Sequence, residues 1–308
     1  MSLNSFEPTN ALGADALFVL PQGVSTTYAP TNTSPRQVSV EKLALSRLPG
    51  AMRNMGWGTA AALMQRWFDS PAWEMPGSWK TLQTQPSPMS IPDAQCDQRI
   101  VTMDWAMKFE RCRRAVEVAE SRLDTPKAVA RLKQRLKDVR WQGDIPFGLG
   151  FRGMSAVQMD ANSQVNFAEL GDAWDDLDDM YGALGTATVK VGVVGNVFKD
   201  TNATTGVARV LLHITHLGFY LRDQYDFNGL QYLGTWTEDR VLTKIETAFS
   251  MTHQGHIILR MKSGPFAVVT NADFRAYREE TGKGGDFLIY SDVLWRKTDQ
   301  IIDLGLFD

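Results

Sequence analysis

The chain has 308 residues, of which 44% are hydrophobic and 22% are charged. This composition supports a sizeable buried core and allows two domains. The net charge of −3 gives no general basic field for holding a nucleic-acid backbone, so nucleic acid is excluded as the expected partner. Two cysteines, Cys96 and Cys112, are too few for a disulfide framework.

The first 42 residues are rich in Thr, Asn, Ser and Pro and show no sustained period. We expect a mobile leader here. The amino terminus lacks the charged and apolar regions of a secretory signal, and no apolar run is long enough to span a bilayer. The sequence therefore predicts a protein that is made in the cytoplasm and would leave the cell without a cleavable signal.

Residues 43–182 show the period of amphipathic helices. A first helix is expected at 49–55, and after it an apolar stripe recurs at i, i+3, i+4, i+7 and i+8. That stripe consists of Ala60, Leu63, Met64, Trp67 and Phe68. Another stripe runs over 105–123, and Thr125 followed by Pro126 predicts the cap and first position of a further helix.

Basic and acidic faces of these helices are predicted to pair. Residues 108–140 contain eleven Lys and Arg against five Asp and Glu. Two explanations fit this excess of positive charge. The helices form a patch that binds anionic lipid or a partner, or they simply present a solvated surface. Residues 167–181 fit a helix whose apolar face is Phe167, Leu170, Trp174, Leu177 and Tyr181, with six acidic residues covering the rest. We expect those acids either to pair with the basic helices or to serve solubility, because a helix cannot wrap its own carboxylates around one calcium ion.

From residue 186 the hydrophobic period falls to two, which is typical of strands. Ala187, Val189, Val191 and Val193 alternate with more polar positions. Further strands are expected at 207–221, 257–262, 266–270 and 287–291, with a turn at 202–206 and a helix at 272–280. The predicted fold class is α+β, with a flexible leader over 1–42, a helical domain over 43–182 and a mainly antiparallel β-rich domain over 183–308.

A polar cluster follows the strand predicted at 207–221. Asp223, Tyr225, Asp226 and Asn228 stand where a rigid scaffold commonly positions chemistry. Asp223 and Asp226 are predicted to hold Mg²⁺, or to divide the roles of general base and ionised carboxylate. Tyr225 would donate to a developing oxyanion. The structural alternative is a turn folded by Asp226 and Asn228, with Tyr225 packed beneath it.

The four histidines form two His-x-x-His pairs, His213 with His216 and His253 with His256. A zinc site is disfavoured for the first pair, because positions i and i+3 of a strand point to opposite faces. Single histidines satisfied inside a sheet are expected instead. His253, His256 or Arg260 would supply groups to the polar cluster from a neighbouring strand. The residues assigned to substrate binding are Arg222, Asn228, Trp236, His256 and Arg260.

Residues 222–228 resemble the Asp-x-Tyr-Asp signature of colicin M-like bacteriocins. Asp223, Tyr225 and Asp226 match it, whereas the His-Arg pair that follows in that family is replaced by Tyr232 and Leu233. The resemblance implies an Mg²⁺-dependent hydrolase. Its substrate would be lipid II, the lipid-linked peptidoglycan precursor, cut between lipid and pyrophosphate on the periplasmic side.

A wider resemblance connects the chain with an uncharacterised bacterial domain family whose members often occur near type VI secretion genes. The matching segments are 49–57, 64–68, 103–105, 225–228 and 233–236. This resemblance implies an exported cargo and supplies no activity.

The two resemblances together predict a type VI secretion-associated antibacterial effector. It would be exported to the periplasm of target cells and would hydrolyse lipid II, with a secretion spike protein and an immunity protein as partners. The alternative is a non-enzymatic secretion adaptor, carrier or binding protein that docks a spike component, in which residues 225–228 are only a structural turn. A membrane-active toxin is disfavoured, because no apolar stretch is long enough to span.

Overall fold

The computed structural model describes residues 44–81, 84–143, 145–172, 175–201 and 206–306. The leader predicted over 1–42 and most of the turn predicted at 202–206 lie outside the described residues. Within them, no helix has both the length and the apolar character needed to cross a bilayer.

Ten α-helices occur in the described residues. They are α1 Leu48–Asn54, α2 Gly58–Asp69, α3 Met103–Ala106, α4 Glu110–Glu120, α5 Pro126–Asp138, α6 Ala156–Asn162, α7 Asp179–Leu184, α8 Lys244–Ser250, α9 His253–Ser263 and α10 Asn271–Thr281. Local sequence explains several boundaries. Thr125 accepts a hydrogen bond from the Ala128 amide at the start of α5, with Pro126 at its first position, as predicted. Gly282 ends α10 in the left-handed conformation.

Nine strands are described. They are β1 Cys96–Asp97, β2 Phe147–Leu149, β3 Gln164–Leu170, β4 Ala187–Thr201, β5 Ala208–Tyr225, β6 Tyr232–Thr237, β7 Phe266–Thr270, β8 Phe287–Tyr290 and β9 Leu294–Gly305. Seven of them form one sheet in the order β1-β8-β5-β4-β2, with β3 also on β4 and β9 also on β5. Every pairing in that sheet is antiparallel except β1 with β8. The predicted α+β class with a mainly antiparallel sheet is confirmed.

The long β4–β5 hairpin forms the centre of the sheet. Val189, Val191 and Val193 are fully buried on one side of β4, as their alternation predicts. The pairing shifts register once between Val194 and Gly195, which lets a strand of this length bend. The small second sheet contains β6 and β7.

One apolar core joins the helices to the sheet. It contains Trp67 of α2, Leu132 of α5, Phe219 of β5 and Ile302 of β9. Strands β1, β2 and β3, which lie within the predicted helical range, pair with β8 and β4 of the predicted β-rich range. Both predicted domains therefore contribute to the same sheet and the same core.

Residues 257–262, predicted as a strand, lie in helix α9, so that prediction was wrong. Thr252 caps this helix by accepting a hydrogen bond from the Gly255 amide. The buried positions of α9 are Gly255 and Leu259, four residues apart, which is a helical spacing. The apolar pair Ile257 and Ile258 is strand-like in a short window, but here it lies on the exposed side of a helix.

The helix predicted at 167–181 was also wrong. Phe167 and Leu170 lie in β3, and only the last part of the stretch enters α7. The predicted pairing of acidic and basic faces is confirmed, because Arg111 of α4 forms ion pairs with Asp178 and, at 3.6 Å, with Asp175. The single stripe predicted over 105–123 is divided between α3 and α4.

Candidate functional site

The predicted catalytic cluster lies at the carboxyl end of β5. The strand continues beyond residue 221 to Tyr225, so Asp223 and Tyr225 are strand residues paired with Ile289 and Phe287 of β8. Alternation along the strand places Asp223 and Tyr225 on one face of the sheet and Arg222 on the other. Asp226 and Asn228 come after the end of β5 and belong to the following loop.

Tyr225 faces the apolar core. Its ring stacks on Phe287 with the centroids 5.0 Å apart and meets Phe227 edge-on at 5.5 Å. Its hydroxyl lies 3.6 Å from the Met64 sulfur, and the residue is only 7% exposed. Burial raises the pKa of the phenol well above its ordinary value. The side chain therefore packs beneath the turn, as the structural alternative expects.

Asp226 organises the turn that follows β5. Its Oδ1 accepts a hydrogen bond from the Asn228 amide at 3.1 Å and forms an ion pair with Lys80 Nζ at 2.6 Å. The Asn228 carbonyl in turn accepts a hydrogen bond from Asn271 of α10 at 2.6 Å. These contacts form an Asx-type turn that is fixed at both ends.

Asp223 is the least constrained member of the cluster. Its side chain is partly buried, and loss of hydration together with the nearby Asp226 carboxylate raises the pKa of Asp223 to about 8. A carboxyl with this pKa holds a proton for a large part of the time at neutral pH. It can therefore donate or accept a proton near neutral pH.

Asp223 and Asp226 are the two carboxylates that would hold the predicted Mg²⁺. Asp226 already forms an ion pair with Lys80. The described part of the chain contains no group of three or more His, Cys, Asp and Glu side chains arranged to hold a metal.

The residues assigned to substrate binding do not share one site. Trp236 is buried, packs edge-on against Trp57 at 6.3 Å and donates a hydrogen bond to the Leu233 carbonyl. His256 and Arg260 are exposed on α9, a helix and not the expected neighbouring strand. Arg222 contacts Tyr290 and Asp160 on the opposite face of the sheet. Asn228 contacts Asp226 and Asn271 in the turn after β5.

A buried polar network centred on Asp160 of α6 was not predicted from the sequence. The two carboxylate oxygens accept hydrogen bonds from Tyr220 at 2.9 Å and Tyr290 at 2.8 Å, and Lys190 forms an ion pair with Asp160 at 2.7 Å. Burial opposes ionisation of Asp160, but the Lys190 ammonium and the other donors keep its pKa below the ordinary value.

Arg222 completes this network from β5. Its Nε donates to the Tyr290 hydroxyl at 3.0 Å and lies 3.7 Å from Asp160, and its terminal nitrogen donates to Gln85 at 2.8 Å. The guanidinium is thus engaged inside the protein. The one sequence signal for the network is Lys190, a charged residue between the apolar positions of a central strand.

An open groove of about 930 Å³ lies between α4 and β3. Basic residues of α4 line one side, and acidic residues of 169–178 line the other. Arg111 joins the two sides through its ion pairs with Asp175 and Asp178. The groove therefore carries charges of both signs on its two sides.

Several exposed apolar side chains lie on the α8–α9 hairpin. Helix α8 has no buried residue, and α9 buries only Gly255 and Leu259. The exposed apolar side chains, here named the hairpin surface, are Ile245 (83% exposed), Phe249 (42%), Met251 (60%), Ile257 (47%), Ile258 (41%) and Met261 (83%). Sequence reasoning missed this surface because residues 257–262 were assigned to a strand with one buried face.

Comparison with known proteins identifies a family but no activity. Residues 43–306 match the model of a family of unknown function, DUF6402. No curated protein and no solved structure matches the chain. Because the match includes nearly every described residue, the chain belongs to the DUF6402 family.

Proposed function

We propose that this protein is a non-enzymatic binding protein that docks through the α8–α9 hairpin. The observation that carries the proposal is the hairpin surface, where six large apolar side chains are at least about two-fifths exposed within one pair of short helices. Isolated exposed apolar residues are ordinary on protein surfaces, but a contiguous group of them commonly marks an interaction site.

The arrangement of the hairpin supports a binding role. A capping box defines its first helix, where Thr243 and Glu246 exchange hydrogen bonds, so the backbone is ordered by local polar contacts. Gly255 lets α9 approach the carbonyl of Phe249 closely. The apolar side chains on the outer side are therefore not needed for these local contacts and are free to meet a partner.

The contacts of the Asp-x-Tyr-Asp segment also favour binding over catalysis. Tyr225 is buried against Met64, and Asp226 holds the turn through Lys80 and Asn228. Two of the three residues that match the bacteriocin signature thus have structural partners. This is the arrangement expected of the adaptor alternative.

A role in type VI secretion extends the proposal. It rests on the resemblance carried by residues 49–57, 64–68 and 233–236, and it would make the protein an exported adaptor or carrier that docks a spike component. An immunity protein and delivery to the periplasm of target cells belong to the hydrolase alternative.

The second candidate function is the lipid II hydrolase. One observation favours it: the pKa of Asp223, about 8, lies where a carboxyl serves as a general acid or base at neutral pH. Asp223 and Asp226 would be the residues to hold Mg²⁺, a cation that typically binds one or two carboxylates and several waters.

An assay on purified protein separates the two functions. The full chain is incubated with lipid II in the presence of MgCl₂, and release of the pyrophosphate-containing product is measured beside Asp223→Asn. We expect no release above the level of the variant. Hydrolysis by the wild-type chain that disappears in Asp223→Asn would overturn the binding proposal in favour of the hydrolase.

A further inference from the structure

We propose that the hairpin surface binds the surface of an anionic lipid bilayer. This inference rests on the proposed function, because it names the occupant of the same docking surface. It concerns attachment to the membrane interface and not insertion across it.

The exposed apolar side chains of α9 lie on one side of that helix. At 3.6 residues per turn, Ile257, Met261 and Ile258 fall within an arc of about 100°. This arc lies opposite the buried side formed by Gly255 and Leu259. The helix therefore offers a narrow apolar stripe to the outside, interrupted in its first turn by the exposed Gln254, while its other side contacts the protein.

Cationic side chains border the stripe. By the same helical spacing, Arg260 lies on one side of the apolar arc and Lys262 on the other, and both residues are exposed. Neither forms an ion pair with a described residue. His253 and His256 are exposed on the Arg260 side, and α9 contains no acidic residue. An apolar stripe with flanking cations is the pattern of helices that lie in the plane of a membrane interface.

The charge of the hairpin supports an anionic partner. Residues 240–264 contain four Lys and Arg and one acid, giving +3, whereas the whole chain carries −3. The single acid, Glu246, is paired with Arg240 at 2.7 and 2.8 Å. Arg260 and Lys262 thus place two positive charges beside the exposed apolar residues of α9, where they can contact lipid headgroups.

The length of the helices suits an interfacial position. The eleven residues of α9 extend about 16 Å, roughly half the hydrocarbon thickness of a bilayer. The exposed large apolar residues of α8, Ile245 and Phe249, are four positions apart and lie on one side of that helix. Two short stripes can enter the headgroup region to a shallow depth without burying any backbone group in hydrocarbon.

A vesicle flotation assay with the full chain tests the inference. One set of vesicles contains phosphatidylglycerol and phosphatidylcholine in equal amounts, and the other contains phosphatidylcholine alone. We expect at least about tenfold more protein on the anionic vesicles, with binding that weakens as salt is added. The variant Ile257→Glu with Met261→Glu should lower binding to anionic vesicles by about tenfold or more.

The matched control is Ile145→Glu with Met89→Glu, which changes an exposed isoleucine (72%) and an exposed methionine (56%) away from the hairpin. It should float like the wild type. Equal binding to both kinds of vesicle, no binding to either, or binding unchanged in the hairpin variant would overturn the inference. A chain that ignores vesicles and also fails to hydrolyse lipid II would keep the proposed binding role and lose only the lipid occupant.

Discussion

Asp226 illustrates how one carboxylate can hold a loop in place. Its Oδ1 accepts hydrogen bonds from both the Asn228 amide and the Lys80 ammonium, and its side chain is 14% exposed. Replacing Asp226 with Ala removes both contacts, so we expect the free energy of unfolding to fall by about 1–3 kcal/mol. Urea denaturation of the variant and the wild type gives this difference directly.

The control for this change is Asp299→Ala. Asp299 also has a close partner, His213 at 2.6 Å, but its side chain is 88% exposed. An ion pair in that setting contributes little, so the unfolding free energy should stay within about 0.5 kcal/mol of the wild type. Equal losses in the two variants would show that the turn does not depend on Asp226.

Asp223 should make stability depend on pH. Its folded-state pKa of about 8 lies above the unfolded value of about 3.9, so the folded state binds more protons between these values. The contribution of Asp223 is therefore greatest below about pH 4 and is lost as the pH rises through about 8. The free energy of unfolding of Asp223→Asn, measured relative to that of the wild type, should therefore increase by on the order of 1–3 kcal/mol as the pH rises from about 5 to about 8.

Urea midpoints of both proteins across this range, converted to free energies, test that sign. A gap between wild type and variant that stays constant from pH 5 to pH 8, or that changes in the opposite direction, would contradict the raised pKa. Taking the difference between the two proteins removes the contribution of the other buried acids, including Asp160 and Asp286.

At the scale of an element, the α8–α9 hairpin depends on close approach at one glycine. A Cβ at Gly255 would lie 1.9 Å from the Phe249 carbonyl oxygen. Gly255→Ala should therefore separate the two helices at a cost of about 1–3 kcal/mol, although alanine ordinarily favours a helix. Faster hydrogen exchange of the amides in residues 244–263 would report the loosening.

Gly50→Ala is the matched control for that prediction. Gly50 is also inside a helix, α1, but no neighbouring atom lies within 4 Å of the position that a Cβ would take, so an added methyl group meets open space. Stability should rise by up to about 1 kcal/mol. A Gly255→Ala protein that is stabilised like Gly50→Ala would show that the helices are not in close contact.

Elements with explicit local signals could be predicted from the sequence. Thr125 and Pro126 mark the start of α5, and Gly282 marks the end of α10, because capping and left-handed geometry restrict those positions to few residue types. Helix α9 could not be recognised in the same way. Ile257 and Ile258 have the same apolar, β-branched character in a buried strand and on an exposed helix, and only the tertiary contacts decide between these states.

At the scale of the whole molecule, residues 43–182 and 183–306 should unfold together. Strand β3 pairs along its length with β4, and Trp67 of α2 donates a hydrogen bond to Asp286, which follows α10. We expect denaturation followed by tryptophan fluorescence and by far-ultraviolet circular dichroism to give coincident transitions. Two separate transitions would instead support independent helical and β-rich domains.

The candidate site was less predictable than the fold because its contacts join distant parts of the chain. Asp160 meets Lys190, Tyr220 and Tyr290, which are 30, 60 and 130 positions away. No spacing in the sequence indicates such a set before the strand order is known. Tyr225 lies in a short polar motif that suggested chemistry, and its ring packs in the core.

The non-enzymatic binding role is tested most directly by growth of a susceptible Gram-negative bacterium. One culture expresses the wild-type chain without a periplasmic signal, and another expresses it with that signal. The periplasmic forms of Asp226→Ala and of Ile257→Glu with Met261→Glu are included, with accumulation of each protein checked by immunoblot. We predict no lysis that depends on Asp226, and we expect any growth defect to disappear in the hairpin variant. Lysis confined to the periplasmic form and abolished by Asp226→Ala at equal protein level, with the hairpin variant still active, would contradict the binding role.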